Sequence, residues 1–197
     1  MTRHSAYGLE YLRATAELLE RYLLSDDLYW QLDGRRLSGE LFPSLTLGGI
    51  LLARKCARTL VEETSDSAEF WQIEAQIENV RTKWGLAWEK KATREFSSRL
   101  NLWRDFLEEF KRDPENNIDR YPYEVGRRVM LSLLLGETHL ISPAERGLLD
   151  LLDHFLNSRL IPTGFIWDRR LEAAFPKDQY PYLYGLLKAG LAPGPDD

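Results

Sequence analysis

From residue 66 to residue 111 the chain reads DSAEFWQIEAQIENVRTKWGLAWEKKATREFSSRLNLWRDFLEEFK, with no proline, one glycine and four of the six tryptophans. Phe70, Ile73, Ile77, Val80, Trp84 and Ala87 recur there at spacings of three and four, which is the repeat of one apolar helical face. A second series follows: Trp84, Trp88, Ala92, Phe96, Leu100, Trp103, Leu107 and Phe110. Its spacings are mostly four, so the stripe drifts around the helix and different neighbours must cover its two halves. The pattern predicts one very long helix over 66–111, with a gentle bend at Gly85. Asp66 with Glu69 reads as a capping box, and Asp113-Pro114 as a stop. Such a helix would be about 65 Å long at 1.5 Å per residue, longer than the rest of the chain can cover.

The flanking segments predict a bundle around this spine. A first helix spans 6–24, with Leu9, Leu12, Ala16, Leu19 and Leu23 on one face. A second runs from Ser44 or Thr46 to Glu63, capped by one of those hydroxyls. Pro122 opens another, ending near Gly136. Ser142-Pro143-Ala144-Glu145 supplies a cap, a first-turn proline and a glutamate at the third position, opening a helix to Arg159. Short helices are expected over 168–175 and 181–189. Between the first two long helices, Asp33-Gly34 fits a very short hairpin pairing 28–32 with 35–37. It fits equally a loop packed down by Tyr29, Trp30, Leu37, Leu41 and Phe42. The pattern D-x-Y-P-Y-x-x-G occurs twice, from Asp119 and from Asp178, and reads as a recurrent helix start. The expected fold is therefore an all-α, irregular antiparallel bundle: a single helical domain over 1–190 and a disordered tail over 191–197.

Composition narrows the chemistry. The net charge of −5 argues against a dedicated nucleic-acid binder. One cysteine allows no intrachain disulfide and suits a reducing, cytoplasmic setting. The longest apolar runs fall short of the ~20 residues a membrane span needs, so no membrane association is expected. Three histidines, without Glu-x-x-His or His-x-x-x-His, cannot furnish a di-iron or zinc bundle site. No phosphate-binding loop or nucleophile elbow is present. Asp150 and His154 share a solvent face of their helix. Cys56, between Leu52 and Leu60 at helical spacing, reads as a buried inert thiol. No catalytic residue, metal or cofactor is singled out.

Two features could carry contacts. Trp84, Trp88 and Trp103, with Lys91 placed to lie over an indole, form a candidate partner or ligand surface. Lys83, Lys90 and Arg94 fall within about 40° on a helical wheel and form a candidate basic face, balanced by Glu89, Glu95, Glu108 and Glu109 on a solvated surface. The pairs Arg35-Arg36, Arg127-Arg128 and Arg169-Arg170 would enlarge that face if folding gathers them. The leading expectation is a non-enzymatic interaction module, binding a protein partner or itself through the long helix. The alternative is a bundle holding a small apolar or aromatic ligand, and the third is anion or nucleic-acid contact at the basic face.

Overall fold

The computed structural model describes residues 8–61 and 67–188. Among these the protein is all-α: α1 (Leu9–Ala16), α2 (Leu19–Leu24), α3 (Leu47–Val61), α4 (Ser67–Lys83), α5 (Gly85–Arg112), α6 (Pro114–Asn117), α7 (Tyr121–Leu135) and α8 (Pro143–Arg159). One small antiparallel sheet, β1 (Leu160–Pro162) and β2 (Gly185–Leu187), completes it. No helix among the described residues is long and apolar enough to cross a membrane. The proposed tail over 191–197 and the cap at Asp66 lie outside the described residues.

The long central helix is present in two segments. Trp84 leaves helical geometry, with φ −119° and ψ 36°. The ladder nevertheless passes through it, since Trp84 N–H donates to Val80 O and Trp88 N–H to Trp84 O, both at 2.9 Å. The axis is redirected without being ended. The break falls where the apolar stripe begins to drift. Upstream, Phe70, Ile73 and Ile77 are buried, and α4 packs on α1 and α3. Downstream, α5 packs chiefly on α7, with α8 and α3 beside it. Trp88, Phe96, Trp103 and Phe110 are enclosed there.

Local chemistry places most of the other helix ends. The Thr46 hydroxyl accepts from Gly49 N–H at 2.9 Å, which makes Thr46, not Ser44, the cap of α3. At α8 both halves of the Ser142–Glu145 capping box form. Pro122 sits in the first turn of α7. The first helix departs from expectation: it is interrupted at Glu17 and Leu18, giving α1 and α2. The hairpin over 28–37 also takes another form. The observed bridges are Trp30 with Leu45 and Arg35 with Leu41, and the turns use Gly34 and Gly39 at φ 89° and 83°, a region that favours glycine. Leu37 and Leu41 are exposed, not packed down.

The two short C-terminal helices are present as 3-10 helices, the second cut short by a strand. They span Arg169–Ala174 and Pro181–Leu183, and the expected helix over 181–189 gives way after Leu183 to β2, which pairs Ile161 with Leu186. The reason is aromatic packing. Trp167, Phe175, Tyr180 and Tyr182 are buried in a chain of edge-on ring contacts. The two D-x-Y-P-Y-x-x-G copies meet in space, because Tyr121 Oη donates to Tyr182 O at 2.6 Å. Arg128 secures the same corner with a two-pronged ion pair to Asp153, at 2.7 and 2.6 Å.

Trp103 is fully buried and stacks on Phe106 at 5.5 Å, while its indole N–H meets no partner among the described residues. Trp103→Ala should therefore cost about 3–5 kcal/mol. Trp103→Phe should cost clearly less, because it keeps a ring and removes an unsatisfied donor. Urea denaturation of both variants reads this difference, and equal losses would contradict it.

Candidate functional site

The site begins with three charged residues on one face of α5. Lys91, Glu95 and Arg99 are spaced four apart and all are buried. Glu95 has no exposed surface, which corrects its placement on a solvated face. Its Oε1 accepts from Arg99 Nε at 2.6 Å and from Gly48 N–H at 3.0 Å. The second bond satisfies a first-turn N–H of α3, where a carboxylate is electrostatically favoured. Arg99 Nη2 donates to Thr46 Oγ1 at 2.8 Å. A Cβ on Gly48 would lie 2.7 Å from Glu95 Oε1, 3.0 Å from Arg99 Nε and 3.1 Å from Met130 Cβ. Only glycine lets α3 approach the pair this closely.

Lys91 does not lie over an indole. Its Nζ donates to Ser25 O and Asp27 O at 2.7 and 2.8 Å, and sits 4.5 Å from the ring centre of Tyr22. Burial pushes the Lys91 ammonium below the usual lysine range. Burial, reinforced by the Glu95 charge, pushes the Tyr22 phenol up.

Next to this knot opens a cavity of about 680 Å³. Three segments line it. Arg99 and Leu102 come from α5, and Tyr123, Gly126, Arg127 and Met130 from α7. The loop between α2 and α3 contributes the remainder, including Tyr29, Arg36, Leu41 and Phe42. Arg36, Arg99 and Arg127 thus converge from three separate elements, and each is held by a carboxylate. Arg36 Nη1 meets Glu40 at 2.8 Å, Arg99 meets Glu95, and Arg127 pairs with Glu124. Arg127 makes that pair and a bond to Leu102 O through the same nitrogen, Nη1. Glu124 is also paired with Arg120 at 3.1 Å.

The loop that carries Arg36 is fixed. Arg36 N–H donates to Glu40 O and Gly39 N–H to Arg36 O, both at 2.8 Å. Leu37 N–H donates to Glu10 Oε1 at 2.6 Å, and Tyr11 Oη to Ser44 O at 3.0 Å, tying the loop to α1. Tyr29 Oη and Ser98 Oγ are hydrogen-bonded at 3.0 Å. The Arg99 guanidinium lies 5.9 Å from the Tyr29 ring centre, within reach of a cation–π contact.

The residues singled out in the sequence fall elsewhere. Trp88 and Trp103 are buried in the core and Trp84 is half-buried. None of the three, and not Lys91, is among the described residues lining the cavity. Trp88 Nε1 donates to Glu137 Oε2 at 2.9 Å. On the candidate basic face, Lys83 pairs with Glu20 at 2.9 Å and Arg94 Nη2 donates to Asp26 O at 2.9 Å, while Lys90 is exposed. The paired arginines are gathered in part: Arg36 and Arg127 reach the cavity, whereas Arg128 binds Asp153 and Arg170 binds Asp168. Arg99 was missed. Its signal was the 91–95–99 spacing beside the apolar stripe, which puts the three charges on a face the core must cover.

Other candidates are quiet. Asp150, His154 and His139 are exposed. Among the described residues no cluster of histidine, cysteine, aspartate and glutamate could hold a metal. Cys56 is buried and its thiol is pushed up to about 12 by burial. No known protein family matches the chain, and neither a curated protein nor a solved structure is significantly similar to it. The class that the geometry defines is an all-α bundle with an arginine-lined cavity.

Two predictions follow from these environments. Gly48→Ala should destabilise by about 1–3 kcal/mol through overpacking. Gly147→Ala, on α8 with nothing within 4 Å of the new Cβ, should be neutral or gain up to ~1 kcal/mol. Paired denaturation curves read the contrast. For Cys56, the native protein should resist a disulfide-exchange reagent at pH 8, where the thiol is protonated, and react fully once denatured. Rapid labelling of the native state would contradict its burial.

Proposed function

We propose that the protein is a binding module for a small organic anion, held in the cavity lined by Arg36, Arg99 and Arg127. The observation that carries this reading is their convergence from the loop, α5 and α7 on one space. Arginine presents a rigid planar fork suited to carboxylates and phosphates. The volume falls in the range of small-molecule sites, about 300–1,000 Å³, and Tyr29, Phe42 and Tyr123 add ring surface. The carboxylates paired with the arginines, of which Glu40 itself lines the cavity, orient them before a ligand arrives, which reduces the ordering cost of binding. We read the site as binding rather than catalytic because its groups hold and orient, and we place it in a reducing, cytoplasmic setting that suits its single thiol.

This reading joins two earlier expectations, a ligand-holding bundle and an anion contact, and moves both away from the tryptophans and from the Lys83–Arg94 face. Docking of a protein partner along an uncovered long helix loses its argument from length, because the stretch turns at Trp84 and packs on different neighbours.

Isothermal titration with carboxylates and phosphate monoesters of graded size, at low and moderate salt, tests it. At least one series should bind. Arg127→Gln should weaken that series by about ten- to a hundredfold, the worth of one charge-assisted hydrogen bond of roughly 1.5–3 kcal/mol. Glu124 keeps Arg120 in that variant, so the fold should persist. Absence of binding by every anion would remove the proposal.

A further inference from the structure

The cavity buries two of its arginines and exposes four of its apolar lining residues. The side chains of Arg36 and Arg99 are only 9% and 8% exposed, with Arg127 at 26% and Glu40 at 64% nearer the solvent. Four apolar residues of its lining stand in water: Leu41 is 68% exposed, and Tyr29, Leu102 and Tyr123 are exposed as well, while Met130 is buried. Leu37, in the same loop as Leu41, is 95% exposed. Folding alone favours the opposite arrangement, with leucines covered and guanidinium groups solvated. Isolated exposed leucines are ordinary, but apolar residues gathered at the mouth of one charged cavity mark a surface that something covers.

Resting on the binding reading above, we propose that the ligand is a free amphiphilic anion. A carboxylate or phosphate head enters first and meets the three arginines. An apolar tail, acyl or aryl, lies against Tyr29, Leu41, Leu102 and Tyr123 at the mouth. The argument is charge complementarity at the inner end and apolar complementarity at the outer end. It commits to a single small molecule because three segments of the chain enclose the space, and the loop among them is hydrogen-bonded in place.

The experiment is a set of titrations below the micellar range with acetate, inorganic phosphate, octanoate, octyl phosphate and octan-1-ol. Octanoate should bind at least about tenfold more tightly than acetate, and octyl phosphate than inorganic phosphate, from methylene burial at the mouth. Octan-1-ol, with the tail and no charge, should bind at least about tenfold more weakly than octanoate. The double variant Leu41→Ser, Leu102→Ser changes only exposed positions. It should abolish the tail's gain while leaving the affinity for inorganic phosphate unchanged.

Equal binding of acetate and octanoate would overturn the amphiphile while leaving an anion site intact. So would octanoate binding that the double variant does not alter. Failure of all the anions would remove both this inference and the reading beneath it. Binding to vesicles of phosphatidylglycerol and phosphatidylcholine, with none to monomeric octanoate or octyl phosphate, would transfer the site to a membrane surface and overturn the free ligand.

Discussion

Arg99 and Glu95 form a largely buried ion pair between helices, and the meeting of α3 with α5 is built on it. Taking two charges out of water costs several kcal/mol per ion unless other polar groups compensate. Here the compensation is concentrated on one carboxylate oxygen, Oε1, while Oε2 is buried without a hydrogen-bond partner among the described residues. Glu95 Oε1 receives a backbone N–H from the first turn of α3 as well as the guanidinium, and Arg99 reaches the hydroxyl of Thr46. That hydroxyl also caps α3 through Gly49 N–H. One helix start, one cap and one ion pair therefore share the same few atoms. None can shift without exposing an unsatisfied group in another. Gly48 is the steric condition for the arrangement, since a side chain there would occupy the place of the carboxylate.

The turn at Trp84 lets α5 reach that junction. A straight helix whose apolar residues recur every four positions turns its stripe steadily away from any one neighbour. The chain uses the drift by changing neighbours: α4 keeps to α1 and α3, and α5 moves on to α7 and α8. The buried charges 91, 95 and 99 drift in the same sense. Lys91 consequently meets the loop after α2, Glu95 the start of α3, and Arg99 the cavity. One helix positions three polar contacts at three places because its face rotates along its length.

What was legible in the sequence follows from this division between local and distant causes. The capping box at Ser142, the proline in the first turn of α7 and the hydroxyl cap at α3 are short-range chemistry, and they appear where their residues stand. The burial of Glu95 is long-range. A glutamate beside lysines and arginines on a helix reads as solvated until a second helix start is known to end against it. The C-terminal strand was hidden for a similar reason. Tyr180, Tyr182 and Tyr184 flank Pro181 as they would at a helix start, yet contacts to Tyr121, Arg128 and Phe175 decide their geometry. The cavity was half visible. Arg36 and Arg127 stood out as members of pairs, but nothing local shows that they meet Arg99, or that the tryptophans that drew attention serve the core.

The electrostatics of the cavity explain why its selectivity must come from shape and apolar contact more than from field. Each arginine there is matched by a glutamate, so the three positive charges of Arg36, Arg99 and Arg127 are nearly balanced by Glu40, Glu95 and Glu124. The chain as a whole carries −5. Such a site exerts little long-range pull on anions, and it offers a polyanion no stripe of uncompensated charge to follow. It offers instead oriented guanidinium groups at short range, in surroundings where water is scarce and hydrogen bonds to charge are strong. A bare inorganic ion gains little there, since it surrenders its hydration to groups that already have partners. A ligand that also covers Leu41, Leu102 and the two tyrosines adds a contribution the paired arginines cannot supply. The balance of charge inside and the apolar surface outside are thus two halves of one discrimination.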